Sequence, residues 1–120
     1  MRRVVVITGG GQGIGREIAL GLGQRGEIPV VVDKDSEGIK ETNNLMKRSG
    51  VMLNSYRADL NNSDEVANVF KKVYENAGRI DALINNAGYY LIKNIQELTI
   101  DFWRLTLDAN LTTAFLCSLE

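Results

Sequence analysis

The chain has 120 residues, the length of one domain at most. Its 44% hydrophobic content permits a buried core, and 24% charged residues with a single Pro and 12 Gly exclude collagen-like and disordered classes. A net charge of −1, with no basic run longer than two residues, excludes a strong electrostatic footprint, so neither nucleic acid nor a membrane surface is expected as a partner.

Residues 4–7 form a continuous β-branched run, as in a strand buried on both faces. Residues 14–24 follow with Ile14, Ile18, Ala19 and Leu22 on one helical face, and Gly26 is placed to stop that helix. Pro29 stands at the entrance of a second buried strand, residues 30–32. Ser36 is the expected cap of a second helix running to Ser49 and ended by Gly50, with a sparse apolar face of Ile39, Leu45 and Met46. A third strand is expected over residues 51–58. Residues 62–65 resemble a capping box, opening a helix that buries Val66, Val69, Phe70 and Val73 and stops at Gly78. A fourth strand is expected over residues 80–84. Thr99 then caps a last helix through Phe102, Leu105 and Leu116.

The order βαβαβαβα predicts an α/β fold: a Rossmann-like, doubly wound parallel sheet over residues 1–120. Such sheets bind ligands at the carboxyl ends of their strands. There the sequence places Thr8-Gly9-Gly10-Gly11-Gln12-Gly13-Ile14-Gly15, between the first strand and the first helix. Glycine lets the chain reverse and lets a pyrophosphate reach the backbone N–H groups, and the helix N-terminus adds free donors and a positive dipole end. Gly9 is assigned to the tight turn, Gly13 to the phosphate approach and Gly15 to helix–sheet contact. A literal G-x-G-x-x-G occurs at Gly21, Gly23 and Gly26, but it lies inside and at the end of a helix, where no helix N-terminus faces it. Those glycines are assigned to close helix packing, and Gly23 is expected to tolerate Ala. A nucleoside-triphosphate P-loop fails as well, since Arg16-Glu17 follows Gly15. Asp33 ends the second strand, 24 positions after Gly9, where a carboxylate accepts from both adenosine ribose hydroxyls and repels a 2′-phosphate. NAD is therefore the expected cofactor and NADP the lesser one, with Lys34 beside Asp33 as the feature that favours NADP.

The spacing of Thr8, Gly9, Gly13, Ile14 and Gly15 resembles the short-chain dehydrogenase/reductase family more than the general Rossmann fingerprint. Three further segments match in order: Asp59-Leu60 after the third strand, Asn85-Asn86-Ala87-Gly88 after the fourth, and Asn110 in the last helix. The resemblance implies that Asp59 meets the adenine amino group and that Asn110 belongs to the catalytic tetrad, linked through a water to a catalytic Lys. Independently of the resemblance, Asn85 and Asn86 are suited to cross-linking neighbouring strand ends. Gly88 leaves backbone exposed beside a cofactor, and Asn110, a poor residue for mid-helix, predicts a local bend or an ordered water. The cofactor-binding set is thus Thr8, Gly9, Gln12, Gly13, Ile14, Gly15, Asp33, Asp59, Leu60, Asn86, Ala87 and Gly88, and no metal site is expected.

Family members run roughly twice this length, so the catalytic Ser and Tyr-x-x-x-Lys are expected beyond Glu120, and the chain reads as the dinucleotide-binding half. One Tyr-x-x-x-Lys occurs, Tyr89 to Lys93, but directly after Asn-Asn-Ala-Gly and too early for the family position. The absence of His excludes His-dependent catalysis within these residues. Cys117, the single cysteine, excludes an internal disulfide and is expected in the core; a reducing, cytoplasmic compartment fits it. The resemblance implies an NAD-dependent oxidoreductase acting on a small alcohol or carbonyl, with the isolated chain inactive. The alternative is a stand-alone nucleotide-binding or interaction module without catalysis. Exposed apolar residues at Phe102, Trp103 and Leu107 would mark a homo-oligomer interface or a surface left uncovered by truncation.

Overall fold

A computed structural model describes all of residues 1–120. Its strands are β1 (Val4–Thr8), β2 (Ile28–Asp33), β3 (Asn54–Arg57) and β4 (Ala82–Ile84). They form one parallel sheet in the order β3-β2-β1-β4. Between them run α1 (Gly13–Gln24), α2 (Ser36–Arg48) and α3 (Ser63–Ala77). After β4 come a 3-10 turn (Ile95–Glu97), α4 (Ile100–Leu107), a π-helical turn (Asp108–Thr112) and α5 (Thr113–Leu119). This is the expected Rossmann-like, doubly wound arrangement. No helix is long and apolar enough to cross a membrane.

The alternation of side chains along buried strands explains the two cores. Val4, Val6, Val30 and Val32 point to one face and pack with Val66, Val69, Phe70, Val73 and Cys117 from α3 and α5. Val5, Ile7 and Val31 point to the other and meet Ala19 of α1 and Ile39 of α2. Burial pushes the Cys117 thiol up to about 11, which keeps it protonated at neutral pH.

Four local expectations are corrected. Asp35, not Ser36, caps α2: its carboxylate accepts from the Glu37 N–H at 3.1 Å. Asn62 caps α3 by accepting from Asp64 and Glu65 N–H, but the Glu65 carboxylate reaches back to Asp59 N–H (2.7 Å) rather than to the cap residue itself. The third strand is only Asn54–Arg57, because Val51 belongs to the exit of α2 and packs over Gly23, while Met52 faces solvent. Ile14 lies away from the core, 74% exposed.

At Asn110 the last helix departs from α-helical geometry, in the π-helical turn that divides it. Of the apolar residues expected at the surface, Trp103 and Leu107 are exposed and Phe102 is half-buried under the Lys93 ammonium, 5.0 Å from its ring centre. Ile100, Leu105, Leu111 and Phe115 of the same stretch are exposed as well.

The short β4 is fastened to β1 at its entrance. Asp81 N–H donates to the Val4 carbonyl (2.9 Å), and Val4 N–H donates to the Asp81 carboxylate (2.7 Å). Arg79 Nε donates to both oxygens of that carboxylate, at 2.9 and 2.8 Å. The Arg79 hydrogen bonds first, and the Val4 N–H second, hold the Asp81 carboxyl below its ordinary value. A group depressed on folding stabilises the fold above its unfolded pKa, about 3.9 for Asp, and that contribution is lost as pH falls through the folded value. Thermal melts from pH 7 to pH 3 should therefore show a decline in the acid range that is shallower in Asp81→Asn. Parallel pH profiles for the two proteins would contradict this assignment.

Candidate functional site

The sheet order brings the chain outward from β1 to β2 and β3 and then back across to β4. The reversal leaves a crevice at the carboxyl ends of β1 and β4, the switch point where such sheets take their ligands. A cleft of about 370 Å³ opens there. Its walls include Gly9, Gln12, Ile14, Asp33, Asp59, Leu60, Asn86, Ala87 and Gly88. These residues come from four separate strand ends, and the sequence analysis had singled out each of them.

The remaining assigned residues shape the cleft without lining it. Thr8 is buried, and its hydroxyl accepts from the N–H groups of Asn86 and Ala87, both at 3.0 Å. Asn86 Nδ2 returns the link by donating to the carbonyls of Thr8 (3.0 Å) and Gly9 (3.1 Å). Asn86 thus cross-links the ends of β1 and β4 as expected. Asn85 does not: its amide donates instead to the Ser118 hydroxyl on α5 (3.1 Å).

The glycines divide the work by the space around them. A Cβ on Gly9 would stand 2.8 Å from Ala87 Cα, and one on Gly15 would stand 2.5 Å from the Gly9 carbonyl oxygen. Gly9 therefore lets β4 close on the loop, and Gly15 lets α1 do so. Gly13 is different, with φ +55° and nothing within 4 Å of the position a Cβ would take. That open space lies at the N-terminus of α1, where unpaired N–H donors and the dipole favour an anion. A phosphate group fits a cradle of this kind, which a side chain would fill.

Asp33 reaches into the loop. One carboxylate oxygen accepts from Gly11 N–H and the other from Asp35 N–H, both at 2.9 Å. A carboxylate has about four acceptor positions, so each oxygen keeps capacity for a further donor. Asp59 similarly accepts from Asn61 N–H at 3.0 Å. The cleft wall around them also contains Lys34, Asp35 and Asn61.

At the far end, Asn110 reaches the cleft through Tyr89. Its Nδ2 donates to the carbonyls of Tyr89 (2.7 Å) and Thr106 (2.9 Å), and its Oδ1 accepts from Tyr89 N–H (3.2 Å). Gly88 makes room for this clamp, since a Cβ there would lie 2.7 Å from Asn110 Oδ1. Tyr89 lines the cleft and is half exposed, whereas Lys93 turns toward Phe102. Ala109 and Thr113, which no sequence motif marks, line the cleft from the π-turn and α5. Arg16 and Thr42 beside the loop are unmarked as well. None of these carries a local signal, because each acts across the fold.

Known proteins share both sequence and architecture with the chain. A 37% identical relative is an uncharacterized oxidoreductase of Escherichia coli, YohF, aligned over 98% of this chain and 47% of its own length. The chain thus spans about half the length of the curated relatives it matches. Among solved structures, actinorhodin polyketide ketoreductase with NADPH superposes with a TM-score of 0.94 at 30% identity, covering 98% of this chain and 45% of that one. A short chain dehydrogenase from Bacillus anthracis gives 0.91 at 28% identity, over 98% and 47%. The sequence model of the short chain dehydrogenases matches residues 3–120, nearly the whole of a chain whose glycine loop and crevice suit a nicotinamide dinucleotide, and the chain belongs to that family of oxidoreductases.

Proposed function

We propose that the chain is the dinucleotide-binding part of an NAD-dependent oxidoreductase that interconverts a small alcohol and its carbonyl. The observation that carries this reading is the cleft at the β1/β4 switch point, with Asp33 and Asp59 toward one end and Asn86, Gly88 and Tyr89 toward the other. The nicotinamide ring, when bound, supplies the hydride acceptor or donor. The loop around Gly13 receives the pyrophosphate, Asp33 accepts from the adenosine ribose hydroxyls, and Asp59 accepts from the adenine amino group. Asn86 and Thr8 hold β1 and β4 at the spacing the crevice requires. Asn110 belongs to the proton relay by family resemblance. The π-turn around it supports this role, since such turns recur at functional sites.

The finer assignment is NAD over NADP. Asp33 places a negative charge where a 2′-phosphate would stand, and like charges disfavour the wrong partner. Lys34 is its immediate neighbour, and a related ketoreductase was crystallised with NADPH, so a direct comparison decides the matter. NAD and NADP should be titrated into the wild type and into Asp33→Ala. Hydrogen bonds to a charged group contribute about 1.5–3 kcal/mol, so Asp33→Ala should lose roughly 10- to 100-fold in NAD affinity. It should also lose most of its discrimination against NADP. Comparable affinities of the wild type for the two cofactors would overturn the assignment.

A further inference from the structure

Beside the glycine loop, Thr42 and Glu41 of α2 and Arg16 of α1 form a hydrogen-bonded group. The Thr42 side chain is fully buried, and its hydroxyl donates to the Gly10 carbonyl at 3.0 Å. The same hydroxyl accepts from Arg16 Nε at 3.0 Å. Arg16 Nη2 donates to the Gly11 carbonyl and to the Glu41 carboxylate, the latter at 2.9 Å. The Arg16 side chain is only 15% exposed while Glu41 is 65% exposed, so the Thr42 end of the network is enclosed and its Glu41 end meets solvent.

We propose that Thr42 and Arg16 are positioning residues for the dinucleotide, forming a strap that sets the direction of the loop's N–H groups. The inference rests on the dinucleotide reading given above. Its warrant is the planarity of the trans peptide, in which C=O and the next N–H point in opposite directions. Thr42 holds the Gly10 carbonyl, and this turns the Gly11 N–H toward Asp33, where it is found at 2.9 Å. Arg16 holds the Gly11 carbonyl, which faces Gly38 of α2, and this turns the Gln12 N–H the opposite way. The strap thereby fixes the Asp33 carboxylate and the loop donors together before any ligand arrives, which lowers the cost of ordering them on binding.

The test uses ADP-ribose as the probe, with calorimetric titration and amide hydrogen exchange on the 120-residue chain. Thr42→Val keeps the side-chain shape and removes two hydrogen bonds, so affinity should fall about 10-fold, while Thr42→Ser, which keeps the hydroxyl, stays within about threefold of the wild type. Exchange at Gly11 should accelerate in Thr42→Val while the amides of Val5, Val6 and Ile7 keep their protection. Arg16→Lys retains the charge but not the fork and should behave like Thr42→Val. Unchanged Gly11 exchange and unchanged affinity in Thr42→Val would overturn the strap. So would acceleration spread evenly over β1, which marks general destabilisation. A wild type that does not bind ADP-ribose would overturn the dinucleotide reading and the strap with it, whereas binding that is indifferent to Thr42 and Arg16 overturns the strap alone.

Discussion

Gly13→Val should abolish dinucleotide binding, with affinity lowered by more than about 100-fold, while leaving the protein folded. Two effects act at that position. A β-branched residue at φ +55° is strained, at a cost on the order of 1–2 kcal/mol. Its side chain would also occupy the open space at the mouth of α1, which no protein atom fills. No protein atom stands in the way, so on the proposed dinucleotide reading the clash is with the ligand and not with the fold. Gly23→Ala supplies the contrast. Its place in the helical glycine pattern predicts that Gly23 tolerates Ala, but a Cβ there would stand 2.3 Å from Val51 Cγ1 and 2.9 Å from Met46 Cε. Overpacking of about 1–3 kcal/mol outweighs the gain in helix propensity, about 1 kcal/mol. Gly23→Ala should lower the melting temperature and preserve binding. Thermal melts and NAD titrations on both variants check the pair, and equal loss of binding from the two would place the phosphate at the wrong glycines.

The 120 residues by themselves should show no dehydrogenase turnover. Hydride leaves an alcohol carbon as the hydroxyl proton leaves, and that proton needs a base within roughly 3 Å. There is no His. Asp33 and Asp59 accept backbone hydrogen bonds at the adenosine end of the cleft as assigned here. The Asn110 amide is no base, and it is engaged with Tyr89 and Thr106. Lys34 and Asp35 line the cleft beside Asp33, at the adenosine end. At the other end Tyr89 is the candidate, but Lys93, the cation of its Tyr-x-x-x-Lys, sits over Phe102. Without a general base and a substrate-orienting group, each worth about 10²-fold or more, the rate should lie at least about 10⁴-fold below that of a complete site. NAD reduction with a panel of secondary alcohols checks this. Clear turnover that disappears in Tyr89→Phe would overturn it and make Tyr89 the acid/base.

The parts of the fold that were legible in the sequence are those whose signal is local. Val4 to Ile7 are buried on both faces of the sheet, so a continuous β-branched run is the whole signature. The loop after it needs glycine for space at Gly9 and Gly15 and for a positive φ at Gly13, so composition alone marks it. β3 was misplaced for the opposite reason. It is an edge strand made of Asn54, Ser55, Tyr56 and Arg57, whereas just before it Val51 packs over Gly23 of α1, Leu53 packs against the core and Met52 faces solvent. Ile14 fits the helical period of the α1 core face, yet it lies in the first turn and lines the cleft. The Asn85 contact with Ser118 and the hold of Thr42 on Gly10 join residues more than thirty positions apart, and periodicity carries no information about either.

The most direct test of the central claim maps NAD onto the amide resonances of the isotope-labelled chain. Binding at the β1/β4 crevice predicts shifts confined to Gly9 through Gly15, Asp33, Asp59 and Leu60, and Asn86 through Tyr89. Amides in the second half of α2 and along α3 should stay in place. Shifts centred on Gly21, Gly23 and Gly26, or no saturable shift at the crevice, would contradict it.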